Sequence, residues 1–197
     1  DSNSAFFKYV KEVYDISRNL SEEQKTIAKY WDDNPFVMEH SGHLMFANKK
    51  ITPGGHWMGI AAIATKETKA NPVKTAQTYA LTAIALYDGF ISCWDEKYRS
   101  NRIRPEAYIN KYIDINWLPI LQTPPFPEYT SGHSVVSAAS AEVLSYMLGD
   151  HFSYTDNTED MFEIPARTYS SFREAADEAA ISRLYGGIHY RDAIVNG

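Results

Sequence analysis

The sequence predicts an all-α protein, and three observations carry that prediction. Apolar residues recur at spacings of three and four almost throughout, the period of a helix with one buried face. No run alternates long enough to build a sheet. Capping residues and prolines stand where the helical patterns begin, and glycines stand where several of them stop.

Each helix follows from its own residues. Phe7, Val10 and Tyr14 share one face of a first helix near 4–18, and Ser21-Glu22-Glu23-Gln24 reads as a capping box opening a second toward Trp31. The stretch from about Asp33 to Gly55, with Pro35, Pro53 and a Gly-Gly pair, reads as a loop. A third helix follows in HWMGIAAIATKE. Asn71-Pro72 is an N-cap and first-turn pair for a long fourth helix through Leu81, Ile84, Leu86 and Phe90 to about Lys97. Gly89 within it costs little if a neighbour packs close. Beyond Pro105 the pattern weakens, and Pro119, Pro124, Pro125 and Pro127 rule out a long helix, leaving a wall or lid. A fifth helix begins at Thr130 or Ser131 and stops at Gly149. After a polar loop from His151 to Tyr169, Ser171 caps a sixth helix that Gly186-Gly187 interrupts, and a short last helix carries HYRDAIVN.

Size and composition bound the function. At 197 residues with 44% apolar content the chain can bury a full core and reads as one helical domain, 1–197. A net charge of −6 argues against nucleic acid or an anionic membrane as partner. The single cysteine, Cys93, excludes an intramolecular disulfide and a Cys-based zinc site, and it reads as a small core residue. No stretch is long and apolar enough to span a membrane, and the first residues lack a secretory pattern. The chain reads as soluble; a periplasmic or secreted location and a homo-oligomeric state remain open. Because the helical pattern runs up to Gly197, there is also room for a longer parent protein.

The chemistry sits in three places. The first is a basic run, in which Lys97, Arg99, Arg102, Arg104 and Lys111 stand against one acid, Glu106. Taken alone it is a solvated face, but Pro105 pushes Arg104 toward extended geometry, with Lys97 two helical turns behind it. A compact ammonium and a planar guanidinium together suit a tetrahedral oxyanion. The second is Ser131-Gly132-His133 at a helix N-terminus, where unpaired amides and the helix dipole favour an anion, Gly132 allows close approach and His133 can exchange a proton. Alone, the tripeptide reads better as a capping serine beside a stray histidine, and the strand-turn-helix elbow of a serine hydrolase is missing. The third is SRLYGGIHYRD, supplying Arg183 and His189, the latter also readable as a core histidine. Together these segments could hold a phosphate-like anion while one histidine bonds its central atom and the other shuttles protons.

At these residues the sequence resembles the signature shared by vanadium-dependent haloperoxidases and the type 2 phosphatidic acid phosphatase (PAP2) superfamily, which includes bacterial non-specific acid phosphatases. Lys97, six residues, then Arg104-Pro105; Ser131-Gly132-His133; and Ser182-Arg183, five residues, then His189 stand in the family order and spacing. GGHWMGIA adds a looser likeness. The resemblance implies a helical bundle of that type with its anion-binding catalytic core at 94–192. It implies that Lys97, Arg104, Arg183, Ser131 and the Gly132 amide neutralise the oxygens of vanadate, with phosphate able to occupy the same site. His189 would be the vanadium ligand or the nucleophile toward phosphorus, and His133 the acid-base partner. The family usually has an aspartate four residues after this histidine; here Asp192 is three after, so its role in orienting His189 is open.

PPFPEYTSGH resembles the haloperoxidase version of the loop, and Phe126 and Trp94 fall where chloride-oxidising members carry aromatic residues beside the metal and the halide. Each also fits core packing. The implied activity is oxidation of a halide by hydrogen peroxide at bound vanadate. The alternatives are an acid phosphatase acting on small phosphate esters through a phosphohistidine, and a non-catalytic helical anion-binding or interaction module. Among the other histidines, His40 and His43 lie in E-H-S-G-H, which is not the H-E-x-x-H zinc pattern, and His56 beside Trp57 reads as packing.

Overall fold

The computed structural model describes residues 4–34, 37–41, 44–48 and 51–197, with 37–41 and 44–48 described by backbone alone. The side chains of Pro35, His40 and His43 lie outside the described residues.

The helices begin where local capping chemistry places them. Ser4 Oγ accepts from the Phe7 amide at 3.1 Å to open α1 (Ala5–Ser17), which buries Val10 and Val13. The capping box of α2 (Glu22–Tyr30) is complete: Ser21 Oγ accepts from Gln24 N at 3.2 Å, and Gln24 Oε1 accepts from Ser21 N at 2.9 Å. Thr52 caps α3 (Pro53–Glu67), so Gly54 and Gly55 belong to its first turn and not to the loop. Asn71 caps α4 (Pro72–Ser100), which ends on Asn101 in the left-handed region at φ 46°. Ser131 caps α6 (Gly132–Leu148), Gly149 at φ 112° ends it, and Ser171 caps α7 (Phe172–Tyr185).

Three departures from the helical pattern stand out. An eight-residue helix, α5 (Pro105–Tyr112), opens the segment expected as a wall, started by the proline that fits its first turn. Two antiparallel hairpins occupy stretches expected as loops: β1 (Val37–Ser41) with β2 (Leu44–Asn48), and β3 (Tyr154–Asp156) with β4 (Arg167–Tyr169). Three residues are too few to show alternation, and VMEHS and LMFAN do not alternate. The chain closes with α8 (Arg191–Val195), shorter than expected.

Two apolar clusters hold the bundle. Tyr30, Trp31, Trp57, Ile60, Leu144 and Phe172 join α2, α3, α6 and α7, and Val10, Val13, Ile109, Leu184 and Ile194 join α1, α5, α7 and α8. Each large side chain so buried contributes about 1.5–3 kcal/mol. The α7 helix serves both clusters, which fixes its C-terminal end, and with it Arg183, between them. The α4 helix packs differently from its expected face. Leu81, Ile84 and Phe90 are exposed, while Thr78, Thr82 and Cys93 are buried. At Gly89 the helix comes close to α6: a Cβ there would stand 3.4 Å from Val135 Cγ1 and 3.6 Å from Ala139 Cβ.

Candidate functional site

The ends of α4, α6 and α7 converge on a cavity of about 1010 Å³ whose wall includes Trp94, Phe126, Gly132, His133, Arg183 and His189. Lys97, in the last turn of α4, and Arg104, the residue before α5, stand beside it. Pro105 leaves Arg104 extended, at φ −73° and ψ 152°, so its side chain leaves the helix start toward the proline-rich loop.

Three buried cations meet here, and each donates to neutral oxygens rather than to a carboxylate. Lys97 Nζ donates to the carbonyls of Pro127 at 3.1 Å, Glu128 at 3.0 Å and Thr130. Arg104 donates through Nε to Phe126 O at 2.9 Å, through Nη1 to Ile188 O at 2.9 Å and through Nη2 to Pro127 O at 3.3 Å. Arg183 donates through Nε to Ser182 Oγ at 2.9 Å and through Nη2 to the carbonyl of Trp31. Burial, and then the charge of Arg104, pushes the Lys97 ammonium down to about 8; burial lowers Arg104 and Arg183 to about 10 each. Buried charges of one sign are costly unless an opposite charge joins them, so this donor set fits an oxyanion such as vanadate or phosphate.

Ser131, fully buried, caps α6 by accepting from Ser134 N at 3.3 Å, which leaves its hydroxyl hydrogen to donate. A Cβ on Gly132 would stand 3.3 Å from the Trp94 ring, so the glycine lets the ring lie close over the helix start. Trp94 stacks on Phe90 at 3.8 Å and meets Phe126 at 5.0 Å. Lys97 Nζ sits 5.6 Å and 5.4 Å from the two ring centres of Trp94 and Phe126, a cation between two aromatic faces. His133 keeps 16% of its side chain exposed at the cavity wall, with Nε2 3.4 Å from Asp33 Oδ2. Burial and the Arg183 charge lower it to about 4, so it is neutral at neutral pH.

His189 has its tautomer set by its partners. Arg104 Nη1, a donor only, faces Nε2 at 3.0 Å, so Nε2 carries the lone pair and Nδ1–H donates to Glu128 Oε1 at 2.9 Å. Burial, then the charges of Arg104 and Lys97, holds the ring well below the usual imidazole range. The orienting role left open for Asp192 falls to another acid. Asp192 forms a two-pronged pair with Arg102, at 2.6 Å and 2.9 Å, and Glu128 takes the place beside His189. The expected geometry assumed that His189 lies on a helix with Asp192, but α8 begins only at Arg191.

The basic run divides accordingly. Lys97 and Arg104 lie buried beside the cavity, Arg102 bridges Glu128 and Asp192, and Arg99 stays on the surface with Asp95 and Glu96. Sequence reasoning missed Glu128, Arg102 and Asp33 as members of the site. A lone acid in PPFPEYTSGH beside the motif was the available signal for Glu128.

Residues 110–197 match the family described as the VCPO second helical-bundle domain. Over that segment the chain is similar to the vanadium haloperoxidases. The solved structure of a bacterial vanadium-dependent iodoperoxidase superposes on 99% of this chain at a TM-score of 0.91 with 55% identity. Holo and apo structures of a bacterial vanadium-dependent chloroperoxidase share its fold at a TM-score of 0.73, with 21% and 19% identity over 98% of the chain. The chain spans less than half of each of these proteins: 46%, 44% and 46%. No curated protein matches it. Of the haloperoxidase-like motifs, Ser131-Gly132-His133 and Arg183 to His189 fall inside the matched family segment, and Lys97 and Arg104 precede it. Among the described residues no helix is long and apolar enough to cross a membrane.

Proposed function

We propose that this chain carries the vanadate site of a vanadium-dependent haloperoxidase that oxidises a halide with hydrogen peroxide. One observation supports this reading above the others: Arg183, the start of α6 and His189 line one cavity, while two more buried cations stand beside it, Arg104 against His189 Nε2 and Lys97 against the Trp94 and Phe126 rings. Lys97, Arg104, Arg183, the Ser131 hydroxyl and the Gly132 amide would hold the oxygens of vanadate, and His189 would hold the metal. Bound vanadate would supply a Lewis acid for peroxide without changing its own oxidation state.

The chain's own residues do the rest. Glu128 keeps the His189 hydrogen on Nδ1 and so leaves the lone pair on Nε2, which accepts from Arg104 Nη1 and would have to leave it to ligate the metal. His133, neutral above about pH 4, takes a proton from peroxide at the cavity wall. The Trp94–Phe126 wall, with Lys97 against it, presents a weakly hydrated halide with an apolar surface and a nearby charge. The 55% identity to an iodoperoxidase favours iodide as the first halide to test.

The deciding experiment compares two turnovers on one sample. With orthovanadate and peroxide, oxidation of iodide or bromide is expected. Without vanadate, only weak release of phosphate from an aryl ester is expected, because phosphate occupies the same site. Robust ester hydrolysis without vanadate-dependent halide oxidation would reverse the assignment in favour of a phosphatase.

A further inference from the structure

A second cluster of buried charge lies directly behind His133. Asp33, at φ 45° just after α2, is buried and faces two imidazoles: Oδ1 is 2.9 Å from His56 Nδ1, and Oδ2 is 3.4 Å from His133 Nε2. The far side of His56 is closed as well. Its Nε2 is 2.8 Å from Asp156 Oδ2, while Asp156 Oδ1 accepts from Thr158 N at 3.0 Å and Thr158 Oγ1 at 2.8 Å. Trp31 stacks on the imidazole at 4.4 Å and Tyr30 meets its edge at 5.6 Å. The expectation that His56 is a packing residue is therefore only partly met: it is buried, but both ring nitrogens face carboxylates. Trp57 donates instead to Ser137 Oγ at 2.8 Å.

A ring nitrogen that faces a carboxylate must carry hydrogen, and both nitrogens of His56 do so. The ring is therefore an imidazolium with no lone pair for a metal. It is itself the cation that neutralises this pocket of acids, in which Glu159 Oε1 lies 3.9 Å from Nδ1. Asp33 lines the cavity and His56 does not, so His56 can act on the site only through its neighbour.

We propose that His56 is a positioning residue for His133 and acts through Asp33. The clamped imidazolium fixes the Asp33 carboxylate, whose second oxygen stands 3.4 Å from His133 Nε2 without a formed hydrogen bond and biases that ring through its charge. The inference rests on the reading of His133 as the proton-transfer group, but its test does not depend on turnover.

The electrostatics agree with the geometry. Burial disfavours charge on His56, yet the Asp33 charge and the hydrogen bonds to Asp156 and Asp33 push it up to about 10. Burial works against charge on Asp33 too, and only His56 and His133 together outweigh it and hold the carboxyl below its usual range. Around His133, Arg183 opposes protonation, while Asp33 and, behind it, Asp32 favour it; the neighbouring His189 stays neutral. Around His56 stand Asp33, Asp156, Glu159 and the Tyr30 ring. Asp33 thus divides its charge between two rings. Removing one ring leaves that charge to the other.

The test is a pH titration of the His133 ring by nitrogen-15 NMR in the wild type, His56→Gln, Asp33→Asn and the double variant, with His133→Gln giving the assignment. His56→Gln is expected to raise the His133 midpoint by on the order of one pH unit, and Asp33→Asn to lower it. In the Asp33→Asn background, His56→Gln should have no further effect. Any result other than an upward, Asp33-dependent shift overturns the proposal. If His56→Gln fails to fold, the wild type still decides: both ring N–H groups of His56 must be present at pH 8, and a bare nitrogen overturns it. Loss of halide oxidation alone would count against the proposed function and leave this titration standing.

Discussion

Glu128 Oε1 accepts both the Nδ1–H of His189 and the amide of Tyr190, each at 2.9 Å, so one buried carboxylate sets both the tautomer and the backbone direction of the candidate metal ligand. Its other oxygen meets Arg102 Nε at 2.5 Å, which ties the histidine to the Arg102–Asp192 pair. Burial raises the Glu128 pKa, against the pull of Arg102 and the Tyr190 amide.

Replacing Glu128 by Gln keeps the shape of the side chain and removes its charge. Vanadate affinity is expected to fall about 10- to 100-fold, the usual consequence of losing the partner of a metal-binding histidine. Asp192→Asn, one residue further out, should cost less. Titration of both variants with vanadate, followed by vanadium NMR, checks the order; a larger loss in Asp192→Asn would return the orienting role to the aspartate.

Arg104 and Arg183 approach the cavity from different helix ends, and each is expected to add its own charge-assisted contact to a bound oxyanion. Arg104→Ala and Arg183→Ala should each weaken phosphate binding by about 1.5–3 kcal/mol, roughly ten- to hundredfold. Calorimetry on variants shown by circular dichroism to be folded makes the measurement. Unchanged affinity in both would remove the anion site from this cavity.

Anion binding should also report the titration of Lys97. Its ammonium is favourable to an anion only while protonated, and burial beside Arg104 brings its pKa down to about 8. Affinity is therefore full below that pH and declines as pH rises through it, with a midpoint displaced upward at saturating anion. Sulfate, whose charge is constant over this range, is the suitable probe. Lys97→Met should bind more weakly and show no such alkaline limb.

The two histidines are expected to separate. His189→Ala should abolish vanadium ligation, while His133→Ala should retain anion binding and slow halide oxidation by about 10²–10⁴, the range for a lost acid-base group. Because His133 is held down to about 4, the wild-type rate should fall as pH drops through that value, when the ring takes up a proton and can no longer act as a base. Equal loss of binding in both variants would show the roles to be misassigned.

Phe126 touches Trp94 and has the Arg104 guanidinium 5.1 Å from its ring centre. Phe126→His replaces an apolar face by a titratable one beside two cations. The ratio of kcat/KM for iodide to that for bromide is expected to change, while phosphate affinity stays within a few-fold. A constant ratio would place the halide elsewhere.

The comparison of sequence with structure divides along a physical line. Residue order alone determined what local interactions decide. Ser21, Asn71, Ser131 and Ser171 each satisfy an amide within the next three residues, so the starts of α2, α4, α6 and α7 were legible without the fold. The spacing of Lys97, Arg104, Ser131–His133, Arg183 and His189 was legible for the same reason: it is a property of the chain and of the family it resembles. Tertiary structure decided what depends on where separate segments cross. The two hairpins carry no alternation to reveal them, and the buried face of α4 holds Thr78, Thr82 and Cys93 rather than its apolar Leu81, Ile84 and Phe90. The choice of Glu128 over Asp192 for His189, and the line from Asp156 through His56 and Asp33 to His133, join residues far apart in sequence. A buried carboxylate pairs with whichever cation or imidazole packing brings within about 3 Å, and that distance is set by the whole bundle, not by sequence neighbours.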